Sequence, residues 1–235
     1  MSVRSAVVAR PRVASLADGR LRTAATARAG IRPWIEIGAL LVGLAAIVGL
    51  RWLAVTRGGP ALLVGLGFAG ALIALWAAGA RGTDRHGRGW RARASPAWSR
   101  RFSTAVAAGF LFGLVLVAVT LAGASIAGAA LPPGLSRPAA PFLPWALVTI
   151  AVATAEEGLL RGILFDRLRN GGGVATAIGI TTAAFALMHV PLYGWHVLPL
   201  DLAVGFGLGG LRLSTRTLVA PAVAHAVADL ATWWL

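Results

Sequence analysis

The chain has 235 residues, 57% hydrophobic and only 13% charged, with a mean hydropathy of +0.76, a balance too apolar for an ordinary soluble domain. The net charge of +14 rests on 22 basic residues, all arginine, gathered mainly in two clusters before and between apolar runs; that pattern marks membrane topology and argues against nucleic-acid binding. With no cysteine, disulfides, thiolate catalysis and cysteine-ligated metal are excluded.

In chain order, Met1 to Pro33 carries seven arginines and one acid and is predicted to be a basic, largely disordered tail in which a partial amphipathic helix can form. Its arginines fit an anionic lipid surface. A first apolar span runs from Trp34 to Val55 and reads as an uncleaved anchor, with Arg51 able to snorkel to the interface. After the Gly-rich turn Thr56 to Pro60, the second span, Ala61 to Ala80, is long enough to cross a hydrocarbon layer of ~30 Å. Arg81 to Arg101 holds seven more arginines, and the third span follows from Phe102 to Leu131. The prolines between Pro132 and Pro141 stop that helix. Pro144 opens a fourth span, running to about Leu168 with Arg167 and Arg169 at its end, and Gly171 to Gly173 makes the next turn. The fifth span is predicted to stop near Val190 because Pro191 blocks continuation. A sixth, Leu198 to Leu213, is short and Gly-rich, and the seventh covers Thr217 to Leu235. The fold class is therefore all-α: a polytopic membrane bundle of about seven spans, making up one domain over residues 34–235. The arginine-rich loops belong on the cytoplasmic side, which places the N-terminus inside a multi-pass cytoplasmic-membrane protein. The polar loops are too short to house a soluble domain, so the chemistry must lie within the bundle.

Ionisable groups inside spans are costly and mark function by default. The first 140 residues have almost none, whereas the second half has Glu156, Glu157 and Arg161, then His189, then His225 and Asp229. Glu157 and Arg161 stand at i,i+4, the spacing of a self-neutralising helix pair. Glu156 is turned by about 100° from Glu157 on an α-helix and needs another partner. Phe185 with His189, and His225 with Asp229, each share one helix face. Counted from the cytoplasmic turns at 1.5 Å per residue, Glu156, His189, His225 and Asp229 lie about 20, 26, 16 and 22 Å deep, close enough to converge once helices tilt. A carboxylate and an imidazole meeting there can polarise a water into a nucleophile, and a second imidazole can stabilise the oxyanion that forms.

The residues resemble the CAAX-protease and bacteriocin-processing (CPBP, or Abi) family of intramembrane glutamic endopeptidases. EEGLLR at Glu156 to Arg161 is similar to the family's EExxxR motif, FALMH at Phe185 to His189 to its FxxxH motif, and HAVAD at His225 to Asp229 to its His-x-x-x-Asn/Asp motif. The likeness covers roughly residues 143–235. It implies that Glu156 is the general base, His189 its partner, and His225 with Asp229 the oxyanion stabilisers, while Glu157, Arg161 and Phe185 support them. It also implies hydrolysis of a peptide bond in a membrane-associated protein or peptide without a cofactor, whether in CAAX cleavage, peptide maturation or self-immunity. Position 229 departs from the asparagine of the best-studied relatives, and a carboxylate donates a hydrogen bond only when protonated. Asp229 also completes a Glu/His/His/Asp set, which leaves a divalent-metal protease as the alternative mechanism. A proton-coupled carrier and a non-hydrolytic immunity scaffold are the other readings. Asp201, His86, His196 and Glu36 are read as loop, interface or helix-start residues.

Overall fold

The computed structural model describes residues 16–81, 96–126 and 140–234, and these are helical almost throughout. The helices are α1 (Leu16–Thr56), α2 (Ala61–Ala80), α3 (Pro96–Ile126), α4 (Phe142–Glu157), α5 (Phe165–Tyr193), α6 (Leu198–Thr215) and α7 (Val219–Ala231). Between α4 and α5 the chain winds as a π-helix over Gly158–Leu164. Five stretches are long and apolar enough to cross a membrane, and Val219–Ala231 is a shorter apolar helix. One of the five is the 52-residue stretch Phe142–Tyr193, which Gly173 breaks at φ 84° and ψ 178°. Only glycine adopts that backbone without a steric penalty, so the predicted Gly-rich turn divides this stretch into two legs.

The bundle presents large apolar side chains outward, as lipid requires: Val42, Leu63, Leu111, Leu143, Leu147 and Phe206 are all exposed. Inside, Leu72, Leu159, Leu160, Leu164, Phe165, Leu168 and Leu208 form a core to which α2, the π segment, α5 and α6 contribute. Helix α3 packs closely along α7, where Gly113 leaves room for Val227. Such small residues permit the backbone approach that drives helix association in lipid.

Several boundaries differ from the sequence reading. Helix α1 extends back to Leu16, so residues 16–33 of the predicted disordered tail are helical. Their Ala, Leu and Arg content propagates a helix that the apolar span already nucleates. Helix α5 passes through Pro191 to Tyr193 and is closed by Gly194 N–H on Val190 O at 2.8 Å. Near a helix end a proline forfeits only one backbone bond. Helix α6 runs two residues past Leu213, to Thr215. Helix α7 has 13 residues in place of the predicted 19, about 20 Å of rise against a ~30 Å layer: Thr217 Oγ1 accepts the Val219 N–H at a start two residues late, and after Ala231 the chain tightens into i,i−3 turns, with Thr232 N on Asp229 O and Trp233 N on Leu230 O. The cluster between Arg81 and Arg101 and the loop Pro132 to Pro141 fall largely outside the described residues, as does the first part of the basic tail.

Candidate active site

The acidic pair sits where α4 gives way to the π segment, a widening common at functional sites. Both carboxylates are buried, Glu156 at 2% and Glu157 at 0% exposure. As the i,i+4 spacing predicts, Arg161 Nη1 donates to Glu157 Oε1 at 2.8 Å. Arg161, itself fully buried, also donates from Nη2 to Gly205 O of α6 at 3.0 Å, and its guanidinium lies 4.6 Å from the Phe185 ring centre. One residue thus neutralises Glu157, holds α6 and supports the phenyl ring of the second motif.

The π winding alters backbone pairing locally, and Arg212 of α6 donates from Nε to Arg161 O at 2.9 Å. The same guanidinium reaches Asp166 Oδ1 at 3.3 Å. This clasp was not legible in the sequence, because Arg212 and Arg161 are 51 positions apart.

His225 of α7 lies between the two glutamates. Its Nδ1 is 3.1 Å from Glu157 Oε1, and its Nε2 is 3.7 Å from Glu156 Oε2 and 3.5 Å from Asp229 Oδ2. Glu157 therefore does more than balance Arg161: with Nδ1–H donating to it, the ring is turned so that Nε2 faces Glu156 and Asp229. The Phe185 ring packs edge-on against His225, with centroids 5.3 Å apart. Asp229 is the open member of the group, its side chain 42% exposed.

His189 stands apart from this cluster. Its Nδ1 donates to Phe185 O at 2.9 Å, Asp201 Oδ2 lies 3.5 Å from the same nitrogen, and Tyr193 stacks on the ring at 5.9 Å. The direct neighbour of Glu156 is consequently His225, whereas the family resemblance assigns that place to His189. The cause is connectivity: α7 packs against α4, while His189 is spent on its own helix backbone.

Glu156, Phe185, His189, His225 and Asp229 line one cavity of about 470 Å³, whereas Glu157 and Arg161 are not on its wall. Three further residues that the sequence marks only as interface, loop or helix-start positions also line it. Asp201 faces His189, His196 lines the cavity from the turn after α5, and Arg51 lines it from α1 with its guanidinium 4.3 Å from the Phe68 ring centre. Only Asp201 carried a usable signal, an acid within an apolar span. Among the described residues, no group of three or more His, Asp and Glu side chains has the arrangement of a metal site.

Fold and site together define a polytopic helical membrane protein with an acid–imidazole centre inside its bundle. Residues 138–231 match the family of Rce1-like type II CAAX prenyl endopeptidases, which bears out the resemblance drawn from the three motifs. No curated protein and no solved structure matches the chain.

Proposed function

We propose that this protein is an intramembrane endopeptidase that hydrolyses a peptide bond of a membrane-associated protein or peptide with water activated by Glu156. The observation that carries this reading is the buried Glu156 carboxylate on the wall of a cavity that also holds imidazoles from two other helices. A buried carboxylate left without a full counter-charge is retained at a cost, and base chemistry is the use that fits its neighbours.

In the proposed mechanism a water rests against Glu156 and His189. His189 gives its Nδ1 proton to Phe185 O, so in the neutral ring Nε2 is an acceptor that orients the water. Glu156 takes the water's proton as the oxygen attacks the scissile carbonyl. His225, held through Nδ1–H by Glu157, acts as the doubly protonated imidazolium, so that Nε2–H also donates, to the oxygen that becomes negative. Asp229, open to the cavity, donates beside it when protonated and otherwise sets the position of His225. Glu156 then returns the proton to the leaving amine. Arg161 and Glu157 are positioning residues, in the sense of the third member of a triad. No step requires a metal or cofactor. The arginine bias of the loops supports a cytoplasmic-membrane protein with its N-terminus inside, and the arginines of the tail support its attraction to anionic lipid.

The test compares new peptide termini in membranes from cells making equal amounts of the wild type and Glu156→Gln, which keeps size and removes the base. Termini made only by the wild type support the endopeptidase. Identical sets of termini in the two membranes defeat it in favour of a non-hydrolytic role.

A further inference from the structure

The cavity is built from one set of helix ends. Its wall takes the last turns of α1, the first turn of α2, the end of α3, the start of α4, the end of α5 and the start of α6. Thr232, just past α7, lies on the same rim. Among the described residues the opposite set of ends carries most of the arginines: Arg81, Arg101, Arg167, Arg169, Arg212 and Arg216. At the cavity's own end the arginines among the described residues are Arg51 and Arg57. An arginine bias of this size orients a multi-pass protein with the rich side in the cytoplasm.

Aromatic residues mark how far the rim rises. Phe142, at the start of α4, has the rings of Trp145, Trp233 and Trp234 within 5.1–6.2 Å, and Trp195 and Trp234 are each 71% exposed. Tryptophans grouped at one end of a bundle belong to the membrane–water interface. From that belt down to Glu156 is 14 residues of α4, about 20 Å of rise. The cavity is thus a well that opens at the arginine-poor interface and ends on Glu156 near mid-membrane.

From these two observations we infer that the site is entered from the non-cytoplasmic face, so that its substrates are peptide segments displayed there: translocated or secreted peptides and the outer juxtamembrane segments of membrane proteins, not cytosolic protein tails. This rests on the endopeptidase reading for the word substrate, whereas the direction of entry stands without it.

The absence of cysteine makes the full-length chain a clean background for single-cysteine labelling. Trp195→Cys and Thr56→Cys place a thiol at the cavity end, and Ser214→Cys places one at the other end; all three positions are exposed. Intact cells are treated with a membrane-impermeant maleimide, then compared with permeabilised cells. Labelling of the two rim thiols in intact cells, with Ser214→Cys labelled only after permeabilisation, is the expected result. Labelling of Ser214→Cys in intact cells while the rim thiols wait for permeabilisation overturns the inference, as does the absence of rim labelling in intact cells when permeabilisation restores it. Repeating the labelling in Glu156→Gln separates the two ideas, because accessibility does not depend on turnover. Glu156-dependent termini that map to cytosolic tails also overturn the inference while leaving the peptidase intact.

Discussion

The two adjacent glutamates should separate cleanly when each is perturbed, because the structure gives one to the scaffold and the other to the cavity. Arg161→Gln leaves Glu157 at zero exposure without its guanidinium partner and removes the bond to Gly205 O. Breaking one side of a buried ion pair costs about 3–5 kcal/mol. For a chain of this size each kcal/mol moves the melting point by about 2–4 °C, so a fall of about 6–20 °C is expected. Glu156→Gln removes a carboxylate whose nearest charged partner is 3.7 Å away, beyond hydrogen-bond range, and the loss should stay near ~1 kcal/mol, about 2–4 °C. The assay is thermal unfolding of detergent-purified variants followed by helical circular dichroism, alongside the rate of peptide cleavage. Glu157→Gln/Arg161→Gln closes a double-mutant cycle and should fall by less than the sum of the single changes, since neither charge is then left buried alone. A Glu156→Gln protein as unstable as Arg161→Gln, or an Arg161→Gln protein that melts with the wild type, would refute this division of roles.

Arg212→Ala takes the donor from Arg161 O, a loss of about 1–3 kcal/mol that should appear as a lower melting point and, through the displaced acidic pair, a lower cleavage rate. Asp201→Asn keeps the shape beside His189 and leaves the 2.9 Å bond to Phe185 O in place; cleavage should slow by no more than ~10-fold, against ~10²–10⁴-fold for His189→Ala, in a direct rate comparison. Millimolar chelator should leave the cleavage rate of the purified enzyme unchanged, and a loss that added zinc restores would replace the water–glutamate mechanism with a metal-dependent one.

The parts of the site that could be read in advance are those whose signal is local. Glu157 and Arg161 declare their pairing by spacing within one helix, and ionisable groups inside apolar runs stand out because burial in lipid penalises them. The triple glycine before Val174 announced the turn that Gly173 makes. The relations that stayed hidden join residues far apart in the chain: His225 to Glu157 across 68 positions, and Arg212 to Arg161 O across 51. Periodicity says nothing about which helix stands opposite, so the partner of Glu156 could not be derived from depth alone. The π winding was equally invisible, since GLLRGIL has no composition that distinguishes it from ordinary helix. Arg51 was assigned to the interface by its place near a helix end, yet it stands in the cavity wall because α1 packs against α2 and α5.

In the proposed mechanism, His225 accounts for the second glutamate where one would supply a base. An imidazole approached only by Glu156 would give up its proton to the same carboxylate that must receive one from water. Here Glu157 Oε1 takes Nδ1 at 3.1 Å, while Arg161 holds that same oxygen at 2.8 Å and balances its charge. The outcome is an imidazole whose orientation is set from the buried side, leaving Nε2 and the whole of Glu156 for the cavity. Because the fixing bonds lie on the far side of the ring from substrate, their strength need not change during turnover. A site arranged in this way meets the requirement that stabilising groups be in position before charge develops, without reorganisation at the moment of reaction. It also predicts where variation can be tolerated: Asp229, on the open side with 42% exposure, can change its chemistry and adjust the oxyanion environment, whereas Glu157 cannot change without releasing both Arg161 and His225.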